Sequence, residues 1–220
     1  SDTTIKFTCS KPGASTFIDA ITESVSLIEL NGEVLESSLS DGIRIEIPNL
    51  AAENKLRIVA KGIYSNTGEG LHKFVDPVDN ETYLYTQFEV PDSRRMFPVF
   101  EQPDLKATFQ FSVIANENWQ VISNSPTPAK KSLGNGIARW DFAPTPRISS
   151  YITALIAGPY AVWNDQLTSA SGKVIPLGVF CRRSLAQYMD PDYIFEKTKQ
   201  GFAYFEKAFD FPYPFEKYDQ

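Results

Sequence analysis

Gln87 and Glu89 stand two positions apart in the segment 82–109, TYLYTQFEVPDSRRMFPVFEQPDLKATF. Side chains alternate faces along a strand, so Tyr83, Tyr85, Gln87 and Glu89 are expected on one face and Leu84, Thr86, Phe88 and Val90 on the other. The second set is mostly apolar and β-favouring, which makes it the expected core side. An amide and a carboxylate facing outwards are suited to a cation. The carboxylate attracts an ammonium, and the amide donates or accepts hydrogen bonds that orient it. The alternative is a solvated edge of no special function. Tyr83 and Tyr85 line a pocket in the first reading and make cross-strand pairs in the second. Arg94 and Arg95 are expected to stiffen the turn that follows by pairing with Asp92, Glu101 or Asp104.

Bond-breaking chemistry is harder to find. A hydrolytic metal site needs His, Cys or carboxylate ligands at short spacing, often two His one helical turn apart. The chain has one histidine, His72, and two cysteines, Cys9 and Cys181, far apart in sequence. His72 falls in the glycine-rich stretch NTGEGLHKF, which reads as a loop, and no triad motif or phosphate loop surrounds it. Catalytic residues are therefore expected to be absent from these 220 residues, and so are metal ligands.

The elements that carry these residues read as short strands separated by breakers, up to about Tyr160. Asn31-Gly32 is suited to a tight hairpin turn. Segment 43–48, IRIEIP, alternates as a half-buried strand. Pro91, Pro103, Pro126, Pro128, Gly134, Gly136, Pro144 and Pro146 punctuate the series. The pattern predicts an all-β domain of two packed or saddle-shaped sheets over residues 1–160. From 161 onward two strands flank the turn at 169–172. Asp190-Pro191-Asp192 then signals a helix, with a cap acceptor, a proline in the first turn and a second carboxylate at the positive end of the dipole. Ile194, Phe195, Thr198, Phe202, Phe205 and Phe209 form one apolar stripe, expected to pack as core. Phe211-Pro212-Tyr213-Pro214 ends the helix, and no closing element is expected after it.

With 27 acidic against 21 basic residues, the surface is a poor match for nucleic acid or an anionic membrane. No apolar run approaches the roughly 20 residues a membrane span needs. Two distant cysteines point to reduced thiols and a cytoplasmic setting. The start and finish suggest an excised fragment.

Several segments together are similar to the M1 family of zinc aminopeptidases, most nearly their actinobacterial form. They are Thr86-Gln87-Phe88-Glu89, Asp92-Ser93-Arg94-Arg95-Met96-Phe97-Pro98, and Phe100-Glu101-Gln102-Pro103 with Lys106-Ala107-Thr108-Phe109. Ser123-Asn124-Ser125-Pro126, Phe142-Ala143-Pro144-Thr145-Pro146-Arg147-Ile148-Ser149-Ser150-Tyr151 and Ala157-Gly158-Pro159-Tyr160 continue the match, as does Phe211-Pro212-Tyr213-Pro214-Phe215-Glu216-Lys217-Tyr218-Asp219-Gln220. Glu101-Gln102-Pro103 departs from the Asp-Glu-Pro of much of the family and keeps a carboxylate one position earlier.

The resemblance implies stepwise removal of N-terminal residues from peptides by a zinc-activated water. It implies that the position of Glu89 binds the substrate ammonium and that of Gln87 lines the pocket for the first side chain. It also implies that 161–220 open a thermolysin-like α/β catalytic domain, truncated before the zinc site. The partners it implies are peptides with a free N-terminus and the remainder of that catalytic domain. Zinc is then a cofactor of the full-length enzyme and not of these residues, which are expected to be inactive alone. The competing reading is a non-catalytic β-sandwich that binds protein or carbohydrate.

Overall fold

A computed structural model describes all 220 residues. Sixteen strands and one long helix follow one another, with short 3-10 turns between some of them. The first six strands are β1 (Asp2–Thr8), β2 (Thr16–Asp19), β3 (Ser24–Leu30), β4 (Glu33–Leu35), β5 (Arg44–Ile47) and β6 (Glu53–Lys61). Then come β7 (Gly70–Val75), β8 (Thr82–Gln87), β9 (Ser112–Asn116), β10 (Gln120–Ser123), β11 (Lys131–Gly134), β12 (Ile137–Asp141) and β13 (Leu155–Gly158). The chain closes with β14 (Ala161–Thr168), β15 (Val174–Cys181), α1 (Pro191–Phe209) and β16 (Tyr218–Asp219). The mainly β architecture with a helix near the end is as the sequence predicts, distributed over five sheets.

The chain folds as two compact units. One comprises residues 1–73, 84–109 and 145–155, and the other 74–83, 110–144 and 156–220. In the first, β1, β6, β3 and β4 form an antiparallel sheet in that order, and β2 pairs with β5. Asn31 and Gly32, at φ 53° and 90°, make the turn from β3 to β4. Positive φ at both turn positions matches the right-handed twist of the strands, which is why Asn-Gly serves there. Ile18, Ile28, Ile45, Ile47, Leu56 and Ile58 form the core of this unit, each fully or almost fully buried. Alternation predicts Ile45 and Ile47 correctly, whereas Ile43 precedes the strand and is exposed.

In the second unit, β14 and β15 pair from Ala161↔Cys181 to Thr168↔Val174. Ile175, Leu177 and Val179 of β15 pack against Phe195 of α1. The helix begins as expected: Asp190 Oδ1 accepts the Tyr193 N–H at 3.1 Å, and Pro191 occupies the first turn. It stops at Asp210, whose left-handed φ of 49° turns the chain away. Only part of the apolar stripe is core, however. Phe195 is buried, while Phe205 and Phe209 are 54% and 73% exposed. The residues after α1 also differ from expectation. Tyr218 and Asp219 form β16, paired in parallel with Leu177 and Gly178 of β15. That pairing is invisible to local sequence patterns because its partner lies some forty positions upstream. No helix is long and apolar enough to cross a membrane.

β8, which carries Gln87, lies between β13 and β7 in the order β10-β13-β8-β7. β7, β8 and β13 each have residues in both units.

Candidate functional site

Tyr83, Tyr85, Thr82 and Thr86 favour the pleated backbone and make β8 a strand, but the alternation expected along it holds only in part. Tyr83 is 1% exposed and its neighbour Leu84 is also buried, so both faces are covered at this point. Tyr83 is therefore no pocket wall. Its hydroxyl donates to Asp79 Oδ2 at 2.7 Å and accepts the Arg183 N–H at 3.1 Å. Burial, then the Asp79 carboxylate, push its pKa up. Beyond it Tyr85 emerges, Thr86 Oγ1 accepts the Leu155 N–H at 2.9 Å, and Gln87 is exposed.

The strand ends at Gln87, three residues earlier than the alternation to Val90 assumes. Glu89 is therefore in a turn. The Gln87 side-chain carbonyl accepts the Glu89 N–H at 2.7 Å, closing a small ring at the strand end. A side-chain acceptor competing for the backbone in this way ends a ladder much as Asx turns do. The order of faces is lost beyond it. Phe88 is buried at 2% exposure, packing at right angles to Phe97, but Val90, expected in the core, is 48% exposed. Gln87 and Glu89 are both exposed, as expected, and are brought together through the main chain. With the amide oxygen accepting the Glu89 N–H, the Gln87 NH₂ is the donor end of this exposed side chain.

A second set of bonds holds the turn that follows. The Asp92 N–H donates to the Phe88 carbonyl at 3.1 Å, and Arg95 Nε pairs with Asp92 Oδ1 at 2.6 Å. Arg95 fits because residue 70 is glycine: a Cβ there would stand 2.9 Å from the Arg95 Cβ. Glu101 is the hub. Its carboxylate accepts the Ser93 hydroxyl at 2.6 and 2.7 Å, the Arg94 N–H at 2.7 Å and the Ser150 hydroxyl at 2.8 Å. The arginine pairing is thus as expected for Arg95 and different for Arg94. The Arg94 guanidinium faces Asp19 at 3.5 Å, and Glu101 takes the backbone N–H of Arg94.

His72 is not in a loop. It lies buried in β7, where the Gly68 N–H donates to its Nδ1 at 3.0 Å. Its ring stacks on Tyr85 with centroids 4.7 Å apart and planes at 30°. Only the exposed aromatic in the middle of β8 hints at this stack in the sequence. Both cysteines are free. The zinc ion implied by the resemblance does not fit these residues. No group of three or more His, Cys, Asp or Glu side chains converges, and the one imidazole already receives a backbone N–H on Nδ1.

The Peptidase M1 N-terminal domain matches residues 3–152. An aminopeptidase N from Streptomyces lividans is 54% identical over 220 residues, covering 99% of this chain and 25% of that protein. An aminopeptidase N from Acetobacter pasteurianus is 33% identical over 143 residues, covering 64% of this chain and 38% of that protein. The crystal structure of Legionella pneumophila aminopeptidase A in complex with aspartic acid superimposes with a TM-score of 0.84 at 17% identity, over 99% of this chain and 26% of that one. The chain thus spans about a quarter of the Streptomyces relative. It belongs to the M1 peptidase family and matches that family's N-terminal domain.

Proposed function

We propose that these residues are the N-terminal part of a zinc metalloaminopeptidase that releases N-terminal amino acids from peptides. The Glu89 carboxylate receives the ammonium of the free N-terminus, and Gln87 borders the pocket for the first side chain. The observation that carries this reading is the exposed pair at the end of β8, with the Glu89 main chain held by the Gln87 amide, inside a family match over residues 3–152. With the Glu89 main chain held, only its side chain is left to be ordered on binding.

In this reading residues 1–160 are the β domain and 161–220 open the catalytic domain. The zinc ligands and the general base lie outside the 220 residues. The remainder of the catalytic domain covers the apolar side of α1, where Phe202, Phe205, Phe209, Phe211 and Tyr213 line a groove of about 750 Å³. A cytoplasmic setting goes with the two free thiols.

The test assays the full-length protein and the 220-residue chain side by side on aminoacyl p-nitroanilides. The full-length protein is expected to cleave them, to lose activity with a chelator, and to spare N-acetylated substrates. The 220-residue chain is expected to be inactive. Chelator-sensitive cleavage by the chain alone, or equal cleavage of acetylated substrates by the full-length protein, overturns the proposal.

A further inference from the structure

Tyr85 is an exposed aromatic of β8 that the ammonium-binding reading leaves unused. It shares the outer side of the strand with Gln87, two positions away, a spacing of about 6.8 Å along the chain. It is 38% exposed although it is a large aromatic in a central strand. One face of its ring is covered by His72, and His72 is itself fixed by the Gly68 N–H on Nδ1. The ring is therefore a braced flat surface on the strand that carries Gln87.

We propose that Tyr85 is a specificity-determining wall of the subsite for the first side chain, and that it favours aromatic first residues. The inference rests on the reading of Gln87 and Glu89 given under Proposed function. Two features select the ligand class. Aromatic rings attract one another in offset or edge-to-face pairs beyond the area they bury, and a braced ring loses little freedom on doing so. The Gln87 carbonyl accepts the Glu89 N–H, and the NH₂ of the same exposed amide offers a donor edge that suits a π face and repels a cation. The Glu89 carboxylate remains for the ammonium.

The experiment measures kcat/KM of the full-length protein for phenylalanyl and alanyl p-nitroanilides and follows their ratio. Tyr85→Val keeps a β-favouring side chain and removes the ring. It is expected to lower the Phe/Ala ratio by roughly fivefold, the size of a typical aromatic pair, with the melting temperature near wild type. Tyr85→Trp enlarges the π surface and is expected to raise the ratio. A merely structural role would lower both substrates together and leave the ratio unchanged in both variants, which overturns the proposal. Glu89→Gln separates this from the parent reading. If Glu89→Gln is without effect on either substrate, the ammonium assignment fails and Tyr85 loses its role with it. If Glu89→Gln impairs both while the Tyr85 variants leave the ratio fixed, only the Tyr85 inference fails.

Discussion

Replacing Glu101 tests whether the turn after β8 is held as described. Its carboxylate is the acceptor for three donors from two segments, the nearby 93–94 and the distant Ser150. Ser93 is fully buried and Ser150 nearly so, at 3% exposure. In Glu101→Ala both hydroxyls and the Arg94 N–H lose this acceptor. A buried donor left unsatisfied costs about 1–3 kcal/mol, and hydroxyls can rotate to recover part of that, so the total is about 3 kcal/mol. In a protein of this size each kcal/mol lowers the melting temperature by about 2–4 °C, which gives a loss of about 6–12 °C. Glu101→Gln separates shape from charge. It keeps one oxygen for a serine but sets an NH₂ against the Arg94 N–H or a hydroxyl, and about half the loss is expected. Thermal unfolding by circular dichroism reads the stability, and hydrogen exchange at the Arg94 amide reads the local opening. A melting temperature within about 1 °C of wild type for Glu101→Ala, with unchanged exchange at Arg94, refutes the reasoning.

Two further outcomes follow from the second unit. Burial, and after it Tyr218 and Asp219, raise the Tyr213 pKa to about 12. The folded state holds this proton more tightly than the unfolded chain, whose tyrosines titrate near 10. The stabilisation is therefore complete below pH 10 and is lost as pH climbs towards about 12. Absorbance at 295 nm should show a tyrosine ionising with the unfolding step, and Tyr213→Phe should flatten the alkaline decline in stability; an unchanged decline contradicts the assignment. The aromatic groove along α1 makes the other prediction. The 220-residue chain should bind a hydrophobic dye or self-associate, and Phe205→Ser with Phe209→Ser should abolish both. A wild-type chain that is monomeric and dye-negative contradicts it.

Local chemistry made much of the fold legible. Asn31-Gly32, Asp190-Pro191 and the alternation of Ile45 with Ile47 each specify their structure within a few residues, and each is found. What was missed depends on distant partners. Period-2 reasoning assumes one wet face, and it fails at Tyr83 and Leu84 because both sides of β8 are covered there. It fails again at Val90, past the end of the strand, where the Gln87 side chain bonds the main chain in competition with the ladder. β16 and the Glu101–Ser150 bond join segments tens of residues apart, and nothing in 218–219 or around 101 alone signals those partners. For the candidate site, the exposure of Gln87 and Glu89 was legible from the alternation, but their bond to each other and the His72–Tyr85 stack were not.

The measurement that bears most directly on the account is kcat/KM of full-length Glu89→Gln on an aminoacyl substrate. A charge-assisted contact to the substrate ammonium contributes about 1.5–3 kcal/mol, so the loss should be roughly 10- to 150-fold. The melting temperature should not change, because Glu89 is exposed and its backbone bond to Gln87 survives the substitution. Wild-type kcat/KM in a folded Glu89→Gln enzyme would contradict the claim that this carboxylate receives the peptide N-terminus.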